Sequence, residues 1–341
     1  MSRQGSFPLG ALLALLSGDE ELGFRCARRR LLDILSLAPV SGLQVYLRDY
    51  SMFIDTQDRE YISPYGQKVA PLRNIRVAQM ITYRNLLADG TVRIYRIGTP
   101  IPQASRLCWL LVALSWTLFA VLLAVSVYNT SSTWIGKSNL IAFALWSVYL
   151  RVLDFLSFVP AKTNPSSPDK TDAAIFLGRR NSALIIEGCR KDVLRWTGTG
   201  LYYRSGTWGR YLEHFFMMAH IGTFLLLAFA FCTIPNGTTL DQIIFIAYLV
   251  GGQLNTWVGL RLHAHVTKSK LLHDSDTSVQ TRTHVYAELL RRYQDGDWAE
   301  AVGLLPKSPV WDEWKQRVVK EDIDAKARWE ECANNDIPNA S

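Results

Sequence analysis

The chain has 341 residues, of which 49% are hydrophobic and 20% are charged, and its formal net charge is +7. Long apolar runs alternate with charged segments, which is typical of a membrane protein with water-soluble extensions and argues against a wholly soluble domain. The basic residues lie beside the apolar runs, so membrane sidedness and anionic lipid explain them and no nucleic-acid partner is expected. The five cysteines are scattered without CxxC spacing, which argues against a disulfide framework.

The N-terminal 106 residues are expected to form a cytosolic segment of mixed structure. Residues 1–47 lack the charge order and the cleavage site of a signal peptide. Polar residues, a proline and a glycine interrupt the run 31–47, so an interfacial or core helix is favoured there over a membrane span. A turn signal at residues 88–90 precedes the alternating residues 91–97, which predict a β-strand.

Four segments have the length and apolar character of transmembrane helices, since about 20 residues cross roughly 30 Å of hydrocarbon. They cover Leu107–Tyr128, Leu140–Val159, His214–Ile234 and Leu240–Leu262. The predicted fold class is therefore mainly α, a polytopic four-helix transmembrane bundle with mixed α/β cytosolic segments and a helical C-terminal tail. In chain order, the segments are the N-terminal cytosolic segment (1–106), transmembrane helices 1 and 2 (107–159), a basic cytosolic loop (160–213), transmembrane helices 3 and 4 (214–262) and the cytosolic tail (263–341).

Charge distribution predicts which side of the membrane each loop occupies. Basic residues crowd the N-terminal segment, the loop 160–213 and the tail, whereas the two short turns contain only Lys137. The positive-inside rule then places both termini and the central loop in the cytosol. Glycosylation sequons at Asn129 and Asn236 fall in the far-side turns, which suits a eukaryotic endomembrane or plasma-membrane protein. Both lie so close to the membrane that we expect neither to be glycosylated, and chance matches are an equal alternative.

The central loop and the tail carry local structural signals. Residues 174–177 and 183–186 predict a hairpin, and residues 190–196 predict a short helix. In the tail, Asp297 and Glu300 fit a capping box, and Ser308-Pro309 predicts a helix start. We expect the apolar stripe of that helix to pack on the chain's own soluble part, with a partner-binding or membrane-resting face as the alternative. The stripe consists of Trp311, Trp314, Val318, Ala325 and Trp329. The residues expected to face lipid headgroups are Arg179, Arg180, Arg190, Lys191 and Trp196.

Two charged residues, Arg151 and Asp154, lie inside the second apolar run, roughly 16 and 21 Å from its luminal start. Their spacing of three residues puts them on one helix face. Polar groups on the third and fourth spans reach a similar depth. The predicted intramembrane polar cluster comprises Arg151, Asp154, His220, Gln253 and Asn255. These groups either hold helices together through hydrogen bonds or line a polar cavity with a ligand or catalytic role, and the first alternative is favoured.

A stripe of small or polar residues on the fourth span, spaced every four positions, predicts close helix packing. It consists of Ala247, Gly251, Asn255 and Gly259. For acid–base chemistry the candidates are Asp154, Glu213 and His220, although no catalytic motif accompanies them. All six histidines follow residue 213 without metal-site spacing, so neither a metal nor a cofactor is expected.

Three functions remain open. The preferred one is a non-enzymatic scaffold or accessory subunit that acts through its cytosolic segments. The second is a small membrane-embedded enzyme acting on a lipid or isoprenoid-like substrate, and the third is an oligomeric channel or transporter subunit. The expected partners are the lipid bilayer, anionic headgroups at the cytosolic face and a protein at the C-terminal helices.

Overall fold

The computed structural model describes residues 23, 34–47, 59–98, 104–160, 169–204, 206–294, 296–320 and 329. The chain forms two compact units built from interleaved stretches of sequence. The helical unit comprises Met1–Thr56, Ile101–Ala161 and Gly200–Val266, and the α/β unit comprises Gln57–Pro100, Lys162–Thr199 and Thr267–Ser341.

Helices and strands are numbered here in chain order. The α-helices are α1 (Ile75–Tyr83), α2 (Ala104–Tyr128), α3 (Trp134–Ser157), α4 (Arg190–Gly198), α5 (Thr207–Thr233), α6 (Thr239–Lys268), α7 (Arg282–Arg292), α8 (Asp297–Ala301) and α9 (Pro309–Lys320). The strands are β1 (Glu60–Ser63), β2 (Lys68–Pro71), β3 (Thr91–Ile97), β4 (Phe158–Pro160), β5 (Thr171–Leu177), β6 (Ala183–Cys189), β7 (Leu201–Tyr203) and β8 (Leu271–Ser278).

Helices α2, α3, α5 and α6 are long and apolar enough to cross a membrane, which confirms the four predicted apolar helices and indicates a membrane-associated protein. The ends of the second helix differ from the prediction. It begins at Trp134 because the hydroxyl of Thr133 caps it by accepting a hydrogen bond from the N–H of Ile135. It ends at Ser157, after which Phe158 is extended and begins β4.

Several exposed tryptophan and tyrosine side chains lie toward the ends of these four helices. Tyr128 and Trp134 lie at the adjoining ends of α2 and α3, and Trp208 lies at the opposite end, where α5 begins. Trp109 and Trp257 lie toward that same second end on α2 and α6. Aromatic residues at both ends of apolar helices are typical of chains that meet two membrane interfaces.

Residues 34–47, here called the buried segment, lie inside the helical unit. The chain leaves helical geometry at Leu35 and regains only a 3₁₀ turn at Leu43–Leu47. Its apolar side chains belong to the same core cluster as those of α3, α5 and α6. Of the two predicted locations, interfacial or core, the structure shows the core, but the predicted helix is wrong for residues 35–42. Pro39 has no N–H for a helix, and Gly42 adopts a left-handed conformation with φ 67°.

The α/β unit is organised by a mixed six-stranded sheet with strand order β2-β1-β5-β6-β3-β8. The predicted strand at Thr91–Ile97 is confirmed as β3, which runs parallel to β6 and antiparallel to β8. The predicted hairpin is confirmed as the antiparallel pair β5 and β6. Strands from before α2, from between α3 and α5, and from after α6 thus share one sheet.

Helices cover both faces of this sheet because successive strand residues point to opposite sides. One face packs on α7, α8 and α9, and the other packs on α1 and α4. The first face includes Ala173, Ile175, Ala183 and Ile185, and the second includes Ala174, Phe176, Leu184 and Ile186. The predicted short helix after the hairpin is confirmed as α4.

In the tail, the start of α8 differs from the prediction. Gly296 is the N-cap of α8 and Asp297 is its first residue, while Glu300 forms an ion pair with Lys315. The capping box is therefore wrong, because Glu300 is held by a cation on α9. Helix α9 begins at Pro309 as predicted. Of its stripe, Trp314 and Val318 are buried in the unit's own core and Trp311 and Trp329 pack at its border, while Ala325 lies outside the described residues.

Replacing Trp314 by alanine should destabilise the α/β unit by about 3–5 kcal/mol, because it removes a fully buried aromatic side chain and leaves a cavity. Thermal unfolding of the purified full-length protein in detergent measures the loss. The matched control is Trp208→Ala, since Trp208 is 70% exposed. Equal unfolding temperatures for the two variants would contradict the assigned packing of α9.

Candidate functional site

The backbone of the buried segment is hydrogen-bonded by side chains from three long helices. The carbonyls of residues 35–37 each accept one hydrogen bond. The indole N–H of Trp116 donates to the carbonyl of Leu35 at 2.8 Å. A guanidinium N–H of Arg151 donates to the carbonyl of Ser36 at 2.5 Å, and the hydroxyl of Tyr248 donates to the carbonyl of Leu37. Helices α2, α3 and α6 therefore supply the donors that irregular backbone needs where water is scarce.

Serine side chains complete this arrangement. The N–H of Val40 donates to Ser147 Oγ at 2.9 Å, and the hydroxyl of Ser36 donates to Ser115 Oγ at 3.0 Å. Ser115 and Ser147 lie close to the middle of α2 and α3. The buried segment consequently reaches the central level of the four-helix bundle.

Both charged residues of the second span contact the buried segment. Arg151 is only 4% exposed and binds the carbonyl of Ser36. Asp154, one turn further along α3, accepts a hydrogen bond from the hydroxyl of Tyr46 at 2.7 Å. The bond from the guanidinium to a carbonyl oxygen is charge-assisted, which stabilises the buried cation.

The other members of the predicted polar cluster lie on α5 and α6. His220 and Gln253 are half-buried. Asn255 is 9% exposed, and its Nδ2 meets no hydrogen-bond acceptor among the described residues. Sequence reasoning found Arg151 and Asp154 from their charge, but it missed their partners, because the interrupted run 31–47 gave no sign that its backbone enters the bundle.

The three acid–base candidates have different surroundings. Asp154 binds Tyr46, whereas Glu213 is exposed near the start of α5. His220 follows Glu213 by seven residues, about 10 Å along the helix.

Outside the spans, burial and then the charge of Glu213 raise the pKa of Tyr203 to about 12. Within the described part of the chain, no group of three or more metal-ligating side chains occurs.

Two adjacent glycines of α6, one of them in the predicted small-residue stripe, lie against different neighbours. At Gly251 an added Cβ would lie 2.2 Å from Leu118 Cδ2 of α2. Gly252, which is outside the stripe, approaches the buried segment, where an added Cβ would lie 2.7 Å from the carbonyl oxygen of Pro39. The remaining stripe members are Ala247, which is half-buried, and Asn255 and Gly259, which are buried.

Asp241, which the sequence analysis overlooked, connects the two short turns of the helical unit. Its buried carboxylate accepts hydrogen bonds from the hydroxyls of Ser132 and Thr133 at 2.8 and 2.6 Å. It also accepts the N–H of Thr238, whose hydroxyl accepts the N–H of Asp241 in return. This reciprocal cap follows the Thr-x-x-Asp spacing before an apolar run, a signal that could have revealed it.

Both sequon asparagines lie beside the ends of long helices. Asn129 directly follows α2, and its Oδ1 accepts the N–H of Ser131. Asn236 lies in a 3₁₀ turn after α5 and donates to the carbonyl of Cys232. Both side chains are exposed, and their use as acceptors for glycans stays a prediction.

An ion-pair network in the α/β unit links the sheet to α7. Arg292 donates two hydrogen bonds to the carboxylate of Glu187, at 2.5 and 2.8 Å, and a third to Asp274 at 3.1 Å. The hydroxyl of Tyr293 donates to Glu187 at 2.8 Å. Burial by itself raises the pKa of Glu187, but the bonds from Arg292 and Tyr293 outweigh it, so the pKa lies below its ordinary value.

The basic residues expected to face lipid headgroups divide into two groups. Arg180 and Arg190 form ion pairs within the α/β unit, with Asp89 at 3.6 Å and with Asp172 at 3.8 Å. Arg179 and Lys191 are exposed, and Trp196 is half-buried.

The Tyr248 hydroxyl gives a direct test of the buried segment. Tyr248→Phe should lower the free energy of unfolding by about 1–3 kcal/mol, because the carbonyl of Leu37 loses its donor in a buried site. Thermal unfolding in detergent, together with limited proteolysis within residues 34–47, measures this change. Tyr128→Phe is the control, since that side chain is 87% exposed. An unchanged unfolding temperature for Tyr248→Phe would contradict the assigned contact.

Comparison with known proteins gives no match to a family model, to a curated protein or to a solved structure. The functional argument therefore depends on the chain's own geometry.

Proposed function

We propose that this chain is a four-span integral membrane protein that acts as a non-enzymatic scaffold or accessory subunit through its α/β unit. In this proposal the N-terminal segment, the central loop and the tail all lie in the cytosol. The membrane is an endomembrane or the plasma membrane of a eukaryotic cell.

The shared sheet supports the proposed sidedness. β3 precedes the first long helix, β6 lies between the second and the third, and β8 follows the fourth. β3 pairs with both β6 and β8, which supports a proposal in which these three stretches lie on the same side of a bilayer. The excess of basic residues in the same stretches favours the cytosolic side.

The contacts of Arg151 and Asp154 are the observation that carries the non-enzymatic role. Charged side chains within membrane spans usually serve a site or a protein contact, because an exposed charge in hydrocarbon is costly. Here Arg151 binds the carbonyl of Ser36 and Asp154 binds the hydroxyl of Tyr46. These bonds give both charges a role in holding the fold, which favours a scaffold over an enzyme or a channel subunit.

The partners in this proposal are anionic lipid headgroups and a protein, and the exposed basic residues of the α/β unit are the groups available to the headgroups. Arg179 and Lys191 are available to anionic headgroups, whereas Arg180 and Arg190 are engaged with carboxylates. A protein partner would bind the exposed surface of the α/β unit, because Trp314 and Val318 of α9 are committed to its core.

The sidedness can be tested with single cysteines in a chain whose native cysteines are replaced by serine. In intact cells that display the protein at the plasma membrane, a membrane-impermeant maleimide should label Thr130→Cys in the first turn. It should label Lys68→Cys, Arg179→Cys and Leu272→Cys only after the membrane is permeabilised, because these exposed positions sample β2, the hairpin turn and β8. In sealed microsomes, whose cytosolic face is outward, the labelling pattern should be the reverse. Labelling of any of these three in intact cells would overturn the proposed sidedness.

The non-enzymatic role can be tested at Glu213, an exposed carboxylate. Glu213→Gln should leave the extractable lipids of producing cells unchanged, and so should the control Glu60→Gln, which alters an exposed carboxylate of β1. Mass spectrometry of the lipids, normalised to protein abundance, is the measurement. A lipid product that falls by about a hundredfold or more only in Glu213→Gln would support the membrane-embedded enzyme instead.

A further inference from the structure

The two helical layers of the α/β unit differ in charge. The layer of α1 and α4, taken as residues 73–84 and 190–198 and here called the basic face, contains six basic residues and one acidic residue. These residues are Arg73, Arg76, Arg84, Arg190, Lys191 and Arg195, with Asp192 as the acid. Helices α7, α8 and α9 on the opposite side of the sheet contain six basic and five acidic residues. Positive charge therefore accumulates on one side of the unit.

The two layers also use their cations differently. In the layer of α7 to α9, Arg292, Lys315 and Arg317 each form an ion pair with a carboxylate. On the basic face, the side chains of Arg73, Lys191 and Arg195 are exposed. Within the described ranges of the chain, none of these three side chains has an ion pair or a hydrogen bond. Their charge is therefore available to a partner outside the unit.

The three available cations lie around α4. Lys191 and Arg195 are one turn apart on its outer side, because Val193 and Thr197 are its buried residues. The backbone N–H of Arg73 donates to the carbonyl of Thr197 at 2.8 Å, which places the third cation's backbone beside the last turn of α4. Like charges four residues apart destabilise a helix, so Lys191 and Arg195 do not serve the stability of α4. Unpaired cations concentrated on a packed layer indicate an anionic partner.

Chain connectivity favours a bilayer surface as this partner. Two residues separate the end of α6 from β8, and six residues separate β3 from the start of α2. Both helices are long and apolar enough to cross a membrane. Such short connections keep the α/β unit close to any bilayer that these helices cross, so the headgroups are present at a high effective concentration. Contacts between single cations and headgroups, each weak, then suffice for binding. A freely diffusing acidic protein lacks this advantage.

We propose that the basic face binds the surface of a bilayer that contains anionic phospholipid, through Arg73, Lys191 and Arg195. The negative potential of such a surface attracts each cation, and the attraction falls off within a Debye length. The inference rests on the proposed function, because it requires the α/β unit to lie on the cytosolic side, where anionic lipid is concentrated.

The test measures how readily Lys191 reacts with an uncharged, water-soluble acetylating reagent. The full-length protein is placed in nanodiscs of phosphatidylcholine alone or with phosphatidylglycerol, whose headgroup has no amine to consume the reagent. Mass spectrometry gives the acetylation rate of Lys191 relative to that of Lys307, an exposed lysine between α8 and α9. With phosphatidylglycerol this relative rate should fall by about fivefold, the effect of one basic residue near an anionic surface. High salt should restore it. Equal relative rates in the two kinds of nanodisc would overturn the proposal.

Two charge-matched variants test the basic face itself. Arg73→Gln/Arg195→Gln removes two of its cations and should return the relative rate to within about twofold of its value in phosphatidylcholine. Lys68→Gln/Arg180→Gln removes the same charge from β2 and the hairpin turn and should preserve the protection of Lys191. Unfolding temperatures close to that of the unaltered protein confirm that both variants fold. Unchanged protection in the first variant, or its loss in the second, would contradict the assignment.

Further outcomes separate the partner from the sidedness. Protection of Lys191 by polyglutamate in phosphatidylcholine nanodiscs, with none by phosphatidylglycerol, would identify an acidic protein as the occupant and overturn the proposal. Cysteine labelling as proposed, with Lys191 unprotected, would refute this inference and leave the sidedness intact. Protection of Lys191 with the opposite cysteine labelling would refute the sidedness and keep the basic face as a lipid-binding surface.

Discussion

A peptide group outside helical geometry no longer makes the backbone hydrogen bond to the residue four positions away. Inside a hydrocarbon layer no water can replace that bond, so other parts of the protein must supply the donor or acceptor. In the proposed membrane orientation, the helical unit meets this constraint at residues 35–42. Trp116, Arg151 and Tyr248 supply donors to three successive carbonyls, and Ser147 accepts an N–H. The four long helices are therefore joined around an irregular segment, and their polar residues are placed where its backbone needs them.

This constraint also explains why an arginine is stable within an apolar helix. Arg151 is buried, and its guanidinium donates a charge-assisted hydrogen bond to the carbonyl of Ser36 in the irregular segment. Asp154 is placed a turn away and binds Tyr46 as the chain leaves the bundle. Ser36 and Tyr46, near the two ends of the segment, are thus tied to α3, so this helix organises the interior of the unit.

The α/β unit is built from three stretches of sequence that alternate with those of the helical unit. Its sheet takes β3, β6 and β8 from stretches separated by pairs of long helices, so its central pairings join residues far apart in the chain. Contacts of this kind form only after loop closure, which makes them slow to form. The complete sheet consequently requires all four long helices to be synthesised first, and α7 is then attached to it through the bonds between Arg292 and Glu187.

The sequence by itself determined the local elements. Apolar length determined the four long helices, and alternation determined β3 and the β5–β6 hairpin, because these patterns depend only on neighbouring residues. It also located Arg151 and Asp154, since a charge inside an apolar run is visible without a fold. Only the tertiary structure decided what these residues bind. The partners of Arg151, the close contact between Trp146 and Gly222 and the shared sheet all join residues distant in sequence, and hydrogen-bond and packing partners at such separations leave no periodic signal in the chain.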